Sequence, residues 1–299
     1  MWLRDLSSAL SKDPDVVLVY LHVWVAFFAI LYRKVFFLHY RTVAVISNLA
    51  VYHQKGDSIP FRWLIDRLTF ILTLKCANGI IYHPNEELSA FVRRNSHCSL
   101  ALPAVLIDTD SIKAKPDSGE NLRSKLGLSG KKVVGIVGPF HRFNRFAIDY
   151  VHRNLSKFSG NIVFLFVGSY DRRDIVNDSR IYFLGHVSDI SEALSACDCV
   201  LMPRPMKSGG IPGKMLYAMS VGLPVVTDNP EWVRVINFQN AVVTTMDELI
   251  NTINILCQNE ELKRTVGAGA REFVVRNYSF RAALPALKLF FDELQSSDS

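Results

Sequence analysis

No run of Lys or Arg longer than two occurs in the 299 residues, although the formal charge is +6 and the isoelectric point is near 9.0. Nucleic-acid surfaces concentrate their cations in stripes or clusters. The basic balance therefore points to a phosphorylated small substrate or an anionic lipid surface, and no nucleic-acid partner is expected. Cysteines are few and odd in number: Cys76, Cys98, Cys197, Cys199 and Cys257, without metal-ligand spacing. That excludes a disulfide framework and reads as reduced core thiols of a cytoplasmic protein, with no metal site. The first fifteen residues, MWLRDLSSALSKDPD, lack a signal-peptide pattern, and no repeat of solenoid length is visible. Charged residues make up only 21% against 49% hydrophobic ones, which excludes a disordered chain.

What is present is enough apolar residue for two domains, each with its own core. The most apolar stretch, Val16 to Tyr32, has seventeen residues, at the lower limit for a membrane span. Two readings stand for it. His22 inside it and Asp13–Pro14–Asp15 before it suit a buried strand followed by a buried helix. Arg33, Lys34 and Arg41 after it suit an element inserted in, or lying on, an anionic bilayer.

Strand-like and helix-like runs alternate through the first hundred residues. Val16–Tyr20, Val35–His39, Gly79–Tyr82 and Ser99–Pro103 read as strands, and Ile59–Cys76 and Glu86–Arg93 as helices. Residues 108–131, rich in charge, Ser and Gly, read as a linker with one short helix. Strands follow at Lys132–Gly138, Ile162–Ser169, Ile181–Leu184, Cys199–Met202, Val225–Thr227 and Ala241–Thr244. Helices are expected at Arg145–Phe158, Asp189–Ala196, Met215–Val221, Asp247–Arg276 and Arg281–Leu294. This βα repetition predicts an α/β fold with parallel sheets. The domains expected are residues 1–112, a linker at 113–130, and residues 131–299, with the last helix packing back on the first domain.

The run Ser208 to Asp228, SGGIPGKMLYAMSVGLPVVTD, is the most informative segment. Gly209, Gly210 and Gly213 open a short apolar helix, and Gly222 and Pro224 hand the chain to a β-branched strand. Backbone N–H groups at such a glycine-rich helix start are suited to an anion such as a diphosphate. In doubly wound sheets, ligands bind beyond the carboxyl ends of the strands. That rule gathers 138–145, 168–171, 204–214 and 228–231 around one crevice.

The order of VVGIVG, FLFVG, FLGHV, the helix ending in Ala196–Cys197–Asp198, KMLYAMSVGLPVV and Pro230–Glu231 resembles the carboxy-terminal domain of the family 4 retaining glycosyltransferases. Leu102–Pro103–Ala104–Val105–Leu106–Ile107–Asp108 is similar to that family's interdomain crossing motif. The resemblance runs from about residue 13 to residue 294. It implies a GT-B-like fold, with two Rossmann-like domains whose parallel sheets face each other across a cleft. It further implies an enzyme moving a hexosyl unit from a nucleotide-diphosphate sugar to a glycan or lipid-linked acceptor, with retention and without a cofactor. Compared with the family, the first domain is incomplete, which implies a complementing polypeptide or a missing front segment.

Retaining transfer needs cations and N–H groups around the departing diphosphate. Arg142, Arg145, Lys207 and Lys214, with the amides of Ser208, Gly209 and Gly210, are the candidates. Glu231 resembles the family's donor-contacting carboxylate, and His39 the histidine near the donor sugar, here assigned as catalytic. Tyr217 stands where the family has the Glu that holds the ribose, and Gly209 where it has a second Glu. A phenol cannot accept two hydrogen bonds as a carboxylate does. These departures keep open an alternative, a degenerate, non-catalytic subunit that binds or scaffolds. Finally, Phe61, Trp63, Leu64, Leu68, Phe70 and Ile71 with Arg62 and Arg67 form an amphipathic stretch. It reads either as core packing or as a peripheral contact with the inner face of a membrane.

Overall fold

The computed structural model describes residues 16–20, 27, 29–31, 33–34, 40–46, 62–83, 86–103, 105–140, 145–171, 177–203, 211–229 and 241–296. The chain divides into two compact units, Met1–Ala104 with Ala283–Ser299, and Val105–Ala282.

The first unit carries a four-stranded sheet in the order β1-β2-β3-β4, all parallel: β1 (Val16–Tyr20), β2 (Arg41–Ile46), β3 (Gly79–Tyr82) and β4 (Ser99–Ala101). Helix α1 (Arg62–Cys76) joins β2 to β3, and α2 (Glu86–Asn95) joins β3 to β4. Both pack on one face, where Phe70, Leu74, Leu88 and Val92 meet Ala44, Ile46, Ile80 and Tyr82. The strand expected at Val35–His39 lies outside the described residues. The second strand described is instead Arg41–Ile46, RTVAVI, whose β-branched residues supply the stiff, half-extended side chains that a central strand packs.

The second unit runs α3 (Pro116–Lys125), β5 (Lys132–Val137), α4 (Arg145–Asn154), β6 (Ile162–Val167), β7 (Ile181–Gly185), α5 (Ile190–Ser195), β8 (Cys199–Met202), α6 (Gly213–Val221), β9 (Val225–Thr227), β10 (Val242–Val243), α7 (Leu249–Gln258) and α8 (Glu260–Asn277). Its six strands are parallel in the order β10-β9-β8-β5-β6-β7. Strands β5, β6, β8 and β9 are apolar along nearly their whole length and buried on both faces, as a sheet covered by helices on each side requires. The closing helix α9 (Phe280–Ser296) sends Phe290 and Leu294 onto Gly79, on the face of the first sheet opposite α1.

Three expectations change. Residues 113–130 do not form a linker: they belong to the second unit, with Leu122 and Leu126 against its core and Leu128 fully buried. Their polar composition hid leucines at helical spacing. The Lys115 amide donates to Ser195 Oγ at 2.8 Å, and Gly119 lies so near α5 that a Cβ would stand 2.4 Å from the Ser195 carbonyl oxygen. The division between units therefore falls after Ala104 rather than at residue 112. The helix expected from Asp247 to Arg276 is two helices. Asn259 adopts an extended conformation and its side chain caps α8, accepting from the Leu262 amide at 2.9 Å.

At the amino ends of β5 and β8, Asp198 ties the strands together. Its carboxylate accepts from the Val133 amide (2.8 Å), Arg123 (2.7 Å) and Lys263 (2.6 Å), while its own amide donates to the Val133 carbonyl (2.7 Å). Burial pushes the carboxyl upward, but the bonds from Lys263 and Val133 and the charge of Arg123 outweigh it and hold Asp198 below its ordinary value of 3.8. Lys263, also paired with Glu260, is desolvated yet held above its ordinary 10.5 by these carboxylates.

A group lowered on folding stabilises above its unfolded pKa and loses that contribution as pH falls through the folded one. A raised lysine contributes below its unfolded pKa and loses it as pH rises through the folded value. We therefore expect Asp198→Asn to cost about 3–5 kcal/mol at neutral pH by leaving two cations without their buried partner. Its stability profile, followed by urea unfolding, should also lose steepness on the acid side below 3.8.

Candidate functional site

The strand order of the second unit sets where a ligand can sit. From β5 the chain winds outward through β6 and β7, then returns to the other side of β5 as β8, β9 and β10. The winding therefore reverses between β5 and β8, and in doubly wound sheets ligands bind beyond the carboxyl ends of the strands at such a point.

On the β5 side the chain passes Gly138, Pro139 and Phe140. Phe140 is fully buried, with its ring packed edge-on against Phe166. The loop after β6 presses on it: Phe140 N donates to the Ser169 carbonyl at 2.8 Å, and Gly168 takes φ +132°. A Cβ on Gly168 would lie 2.6 Å from the Gly138 carbonyl oxygen, so only glycine permits both the backbone angle and the approach. Arg145 is the exposed first residue of α4, the helix that follows this loop.

On the β8 side stands α6. Pro212 precedes it in an extended conformation, no side chain caps it, and its first turn holds no acidic residue. The amides of Met215 and Leu216 turn back to the Pro212 carbonyl at 2.9 and 3.3 Å. Those of Gly213 and Lys214 precede these first turn-closing bonds, at the positive end of the helix dipole. Met215, Leu216 and Met219 are wholly buried, which fixes the helix about its axis. Lys214 Nζ then reaches the last residue of β5, donating to the Val137 carbonyl at 3.1 Å. Its ammonium therefore sits at the carboxyl end of β5, beside the point where the sheet reverses its winding. Tyr217, half-buried, follows Lys214 by three residues and so shares its side of α6.

The far end of α6 is clamped by α8. Gly222, at φ +85°, ends α6, and Gly267 comes so close that a Cβ would lie 2.1 Å from the Gly222 carbonyl oxygen. Arg271, one turn along α8, donates to the Ser220 carbonyl and to that of Thr109 at 3.4 Å.

Of the residues expected from sequence, the structure thus brings Lys214 to the end of β5, with Tyr217 on the same helix, and places Arg145 at the head of α4. His39, Arg142, Lys207, Ser208, Gly209, Gly210 and Glu231 lie outside the described residues. Sequence reasoning passed over His83, which directly follows β3 at its carboxyl end in the first unit. Burial holds its imidazole below the ordinary 6.5, against a backbone hydrogen bond with Leu102 that raises it, so it is neutral at physiological pH. Its position one residue past an apolar strand was the available signal. Tyr150, whose hydroxyl donates to the Met246 carbonyl at 3.3 Å, is pushed up to about 12 by burial and the charges of Asp228 and Asp247, and stays protonated. The Cys197 thiol is likewise pushed up to about 12 by burial, which makes it an inert core thiol.

Residues 131–259 match the model of the family described as glycosyl transferases group 1. Among solved structures, HepE of Anabaena in complex with UDP and glucose is 16% identical, over 97% of this chain and 81% of its own, with a TM-score of 0.73. Sucrose-phosphate synthase of Thermosynechococcus elongatus is 18% identical, over 99% of this chain and 78% of its own, with a TM-score of 0.72. A glycosyltransferase of Rickettsia africae is 13% identical over 98% and 80%, with a TM-score of 0.70. No curated protein matches by sequence. The chain has the α/β fold, with two parallel sheets, of the GT-B glycosyltransferases.

The α6–α8 contact makes a direct prediction. Gly267→Ala forces the two helices apart, because the opposing atom is backbone and cannot rotate away. A loss of about 1–3 kcal/mol in thermal or urea unfolding is expected. Ala at the exposed, uncrowded Gly160 should leave stability within about 0.5 kcal/mol.

Proposed function

We propose that this chain is a glycosyltransferase whose second unit binds a nucleotide-diphosphate sugar and which transfers the hexosyl group, with retention, to a glycan or lipid-linked acceptor. The observation that carries this reading is the position of Lys214. Its ammonium and the start of α6 converge at the switch point of the sheet, within residues that match the glycosyl transferases group 1 model.

The chemistry follows from charge. As the bond from the anomeric carbon to the donor phosphate breaks, negative charge grows on the diphosphate oxygens. The groups that stabilise it must be in place beforehand. Lys214 supplies a fixed cation, and Gly213 with the preceding amides of Ser208, Gly209 and Gly210 supplies N–H donors. Arg142, Arg145 and Lys207 add charge from the loops on either side. No metal is needed for this role, and no cofactor takes part.

Tyr217 is assigned to a ribose hydroxyl, to which its phenol donates or from which it accepts one hydrogen bond. Glu231 is assigned to the donor sugar and His39 to the reacting centre. UDP is the first nucleotide to test, since HepE was solved with UDP and with UDP-glucose. We place the enzyme in the cytoplasm, on the inner face of a membrane. Tyr217 in place of a carboxylate supports a second reading, a donor-binding subunit without turnover.

A differential scan with UDP, GDP and ADP sugars tests binding. One of them should stabilise the chain, by about 2.7 kcal/mol at a hundredfold excess over its dissociation constant. Lys214→Ala should weaken that nucleotide by about ten- to a hundredfold, as expected for the loss of one hydrogen bond to a charged group. If no nucleotide sugar binds, the reading fails. Binding without release of nucleoside diphosphate in the presence of any acceptor selects the non-catalytic subunit.

A further inference from the structure

The carboxyl ends of β5, β6 and β7 are paved with glycine: Gly138 follows β5, Gly168 follows β6 and Gly185 closes β7. Their backbones meet across the sheet. A Cβ on Gly168 would stand 2.6 Å from the Gly138 carbonyl oxygen, and the Gly168 amide donates to the Gly185 carbonyl at 2.8 Å. Gly168 and Gly185, at φ +132° and +78°, hold angles that residues with side chains rarely adopt. No side chain rises from this row. It begins beside the Val137 carbonyl, to which Lys214 donates, and runs from β5 to β7, about 10 Å at ordinary strand spacing.

An aromatic ring stands at the far end. Tyr170, two residues past Gly168, is half-buried, and its Cε1 lies 3.8 Å from where a Cβ of Gly185 would be. Its ring is tilted at 48° against Phe183, with centroids 4.9 Å apart, and Phe183 in turn stacks on Phe166 at 4.9 Å. The inner rings brace Tyr170, while its own ring is only partly covered. The opposite direction has another chemistry. Asp228 directly follows β9 and shares with Asp247 the vicinity of Tyr150. Carboxylates accept hydrogen bonds from sugar hydroxyls, whereas an aromatic ring offers a face to a planar base.

We propose that Tyr170 is the residue on which the base of the bound nucleotide stacks, with Gly138, Gly168 and Gly185 as the floor across which the nucleoside lies. The inference rests on the proposed binding of a nucleotide-diphosphate sugar and gives it a direction, with the base toward β7 and the transferred sugar toward β9. Every base has a π-face, so the stack adds affinity without choosing the base.

Calorimetric titration of the full chain with UDP, GDP and ADP, and with inorganic pyrophosphate, tests the assignment. Pyrophosphate carries the charge but no base. Tyr170→Ala should weaken the nucleotide that binds by about five- to a hundredfold and leave pyrophosphate unchanged. Tyr170→Phe should keep both affinities, because the ring remains. Tyr170→Trp should add an indole emission that nucleotide quenches and pyrophosphate does not. Retained pyrophosphate binding shows that a variant is folded, and if Tyr170→Ala fails to fold, the Tyr170→Trp signal decides. Nucleotide affinity unmoved by Tyr170→Ala, equal losses of nucleotide and pyrophosphate, or a Tyr170→Trp emission indifferent to nucleotide would overturn the proposal. Nucleotide binding that depends on Lys214 and not on Tyr170 leaves the transferase reading standing and removes this one. Absence of binding by every nucleotide removes both.

Discussion

The pairing of β5 with β8 is the constraint on which the second unit depends. These strands are far apart in sequence, yet they flank the point where the sheet reverses its winding. Val134 and Gly135 lie beside Cys199 and Val200, with the Cys197 sulfur only 2.8 Å from where a Cβ of Gly135 would be. At the amino ends, Asp198 joins the strands through two bonds to Val133, one accepted by its carboxylate and one donated by its own amide. At the carboxyl end, Lys214 crosses from the helix after β8 to the last carbonyl of β5. A shift of either strand would break both ends at once, so the register that builds the core also places the candidate anion site.

Burial alone would not hold α6 in that place. Its buried methionines and leucine fix its rotation. The contact of Gly222 with Gly267 and the bond from Arg271 to the Ser220 carbonyl fix it along its axis. The long helix α8 therefore acts at a distance on the start of α6, by seating its opposite end. Ordering of this kind would lower the cost of binding the proposed diphosphate, because Lys214 and the Gly213 amide do not have to be arranged when a ligand arrives.

Much of this was legible in the sequence, for identifiable reasons. Strands such as Cys199–Met202 and Val225–Thr227 have the bounds expected, because a fully buried parallel strand is an unbroken apolar run bracketed by turn residues. The glycine-rich start and Gly222 likewise delimited α6, and the resemblance to family 4 glycosyltransferases pointed to the fold found. Strand β2 was passed over because Val35–His39 beside it is more apolar and drew the assignment. Residues 113–130 read as a linker because their polar composition outweighs three leucines, Leu122, Leu126 and Leu128, in any window count. Asp198 was taken only as the end of a helix. Its partners Arg123, Val133 and Lys263 lie about 65–75 residues away, a distance that no local pattern spans. The Lys214–Val137 bond was hidden for the same reason, although Lys214 itself stood out by its place in the motif.

A structure of the full chain with UDP bound tests the account most directly. The account predicts the diphosphate at the start of α6, within hydrogen-bonding distance of Lys214 Nζ and the Gly213 amide, beyond the carboxyl ends of β5 and β8. Nucleotide bound away from that crevice, or oriented with its diphosphate directed away from α6, would contradict it.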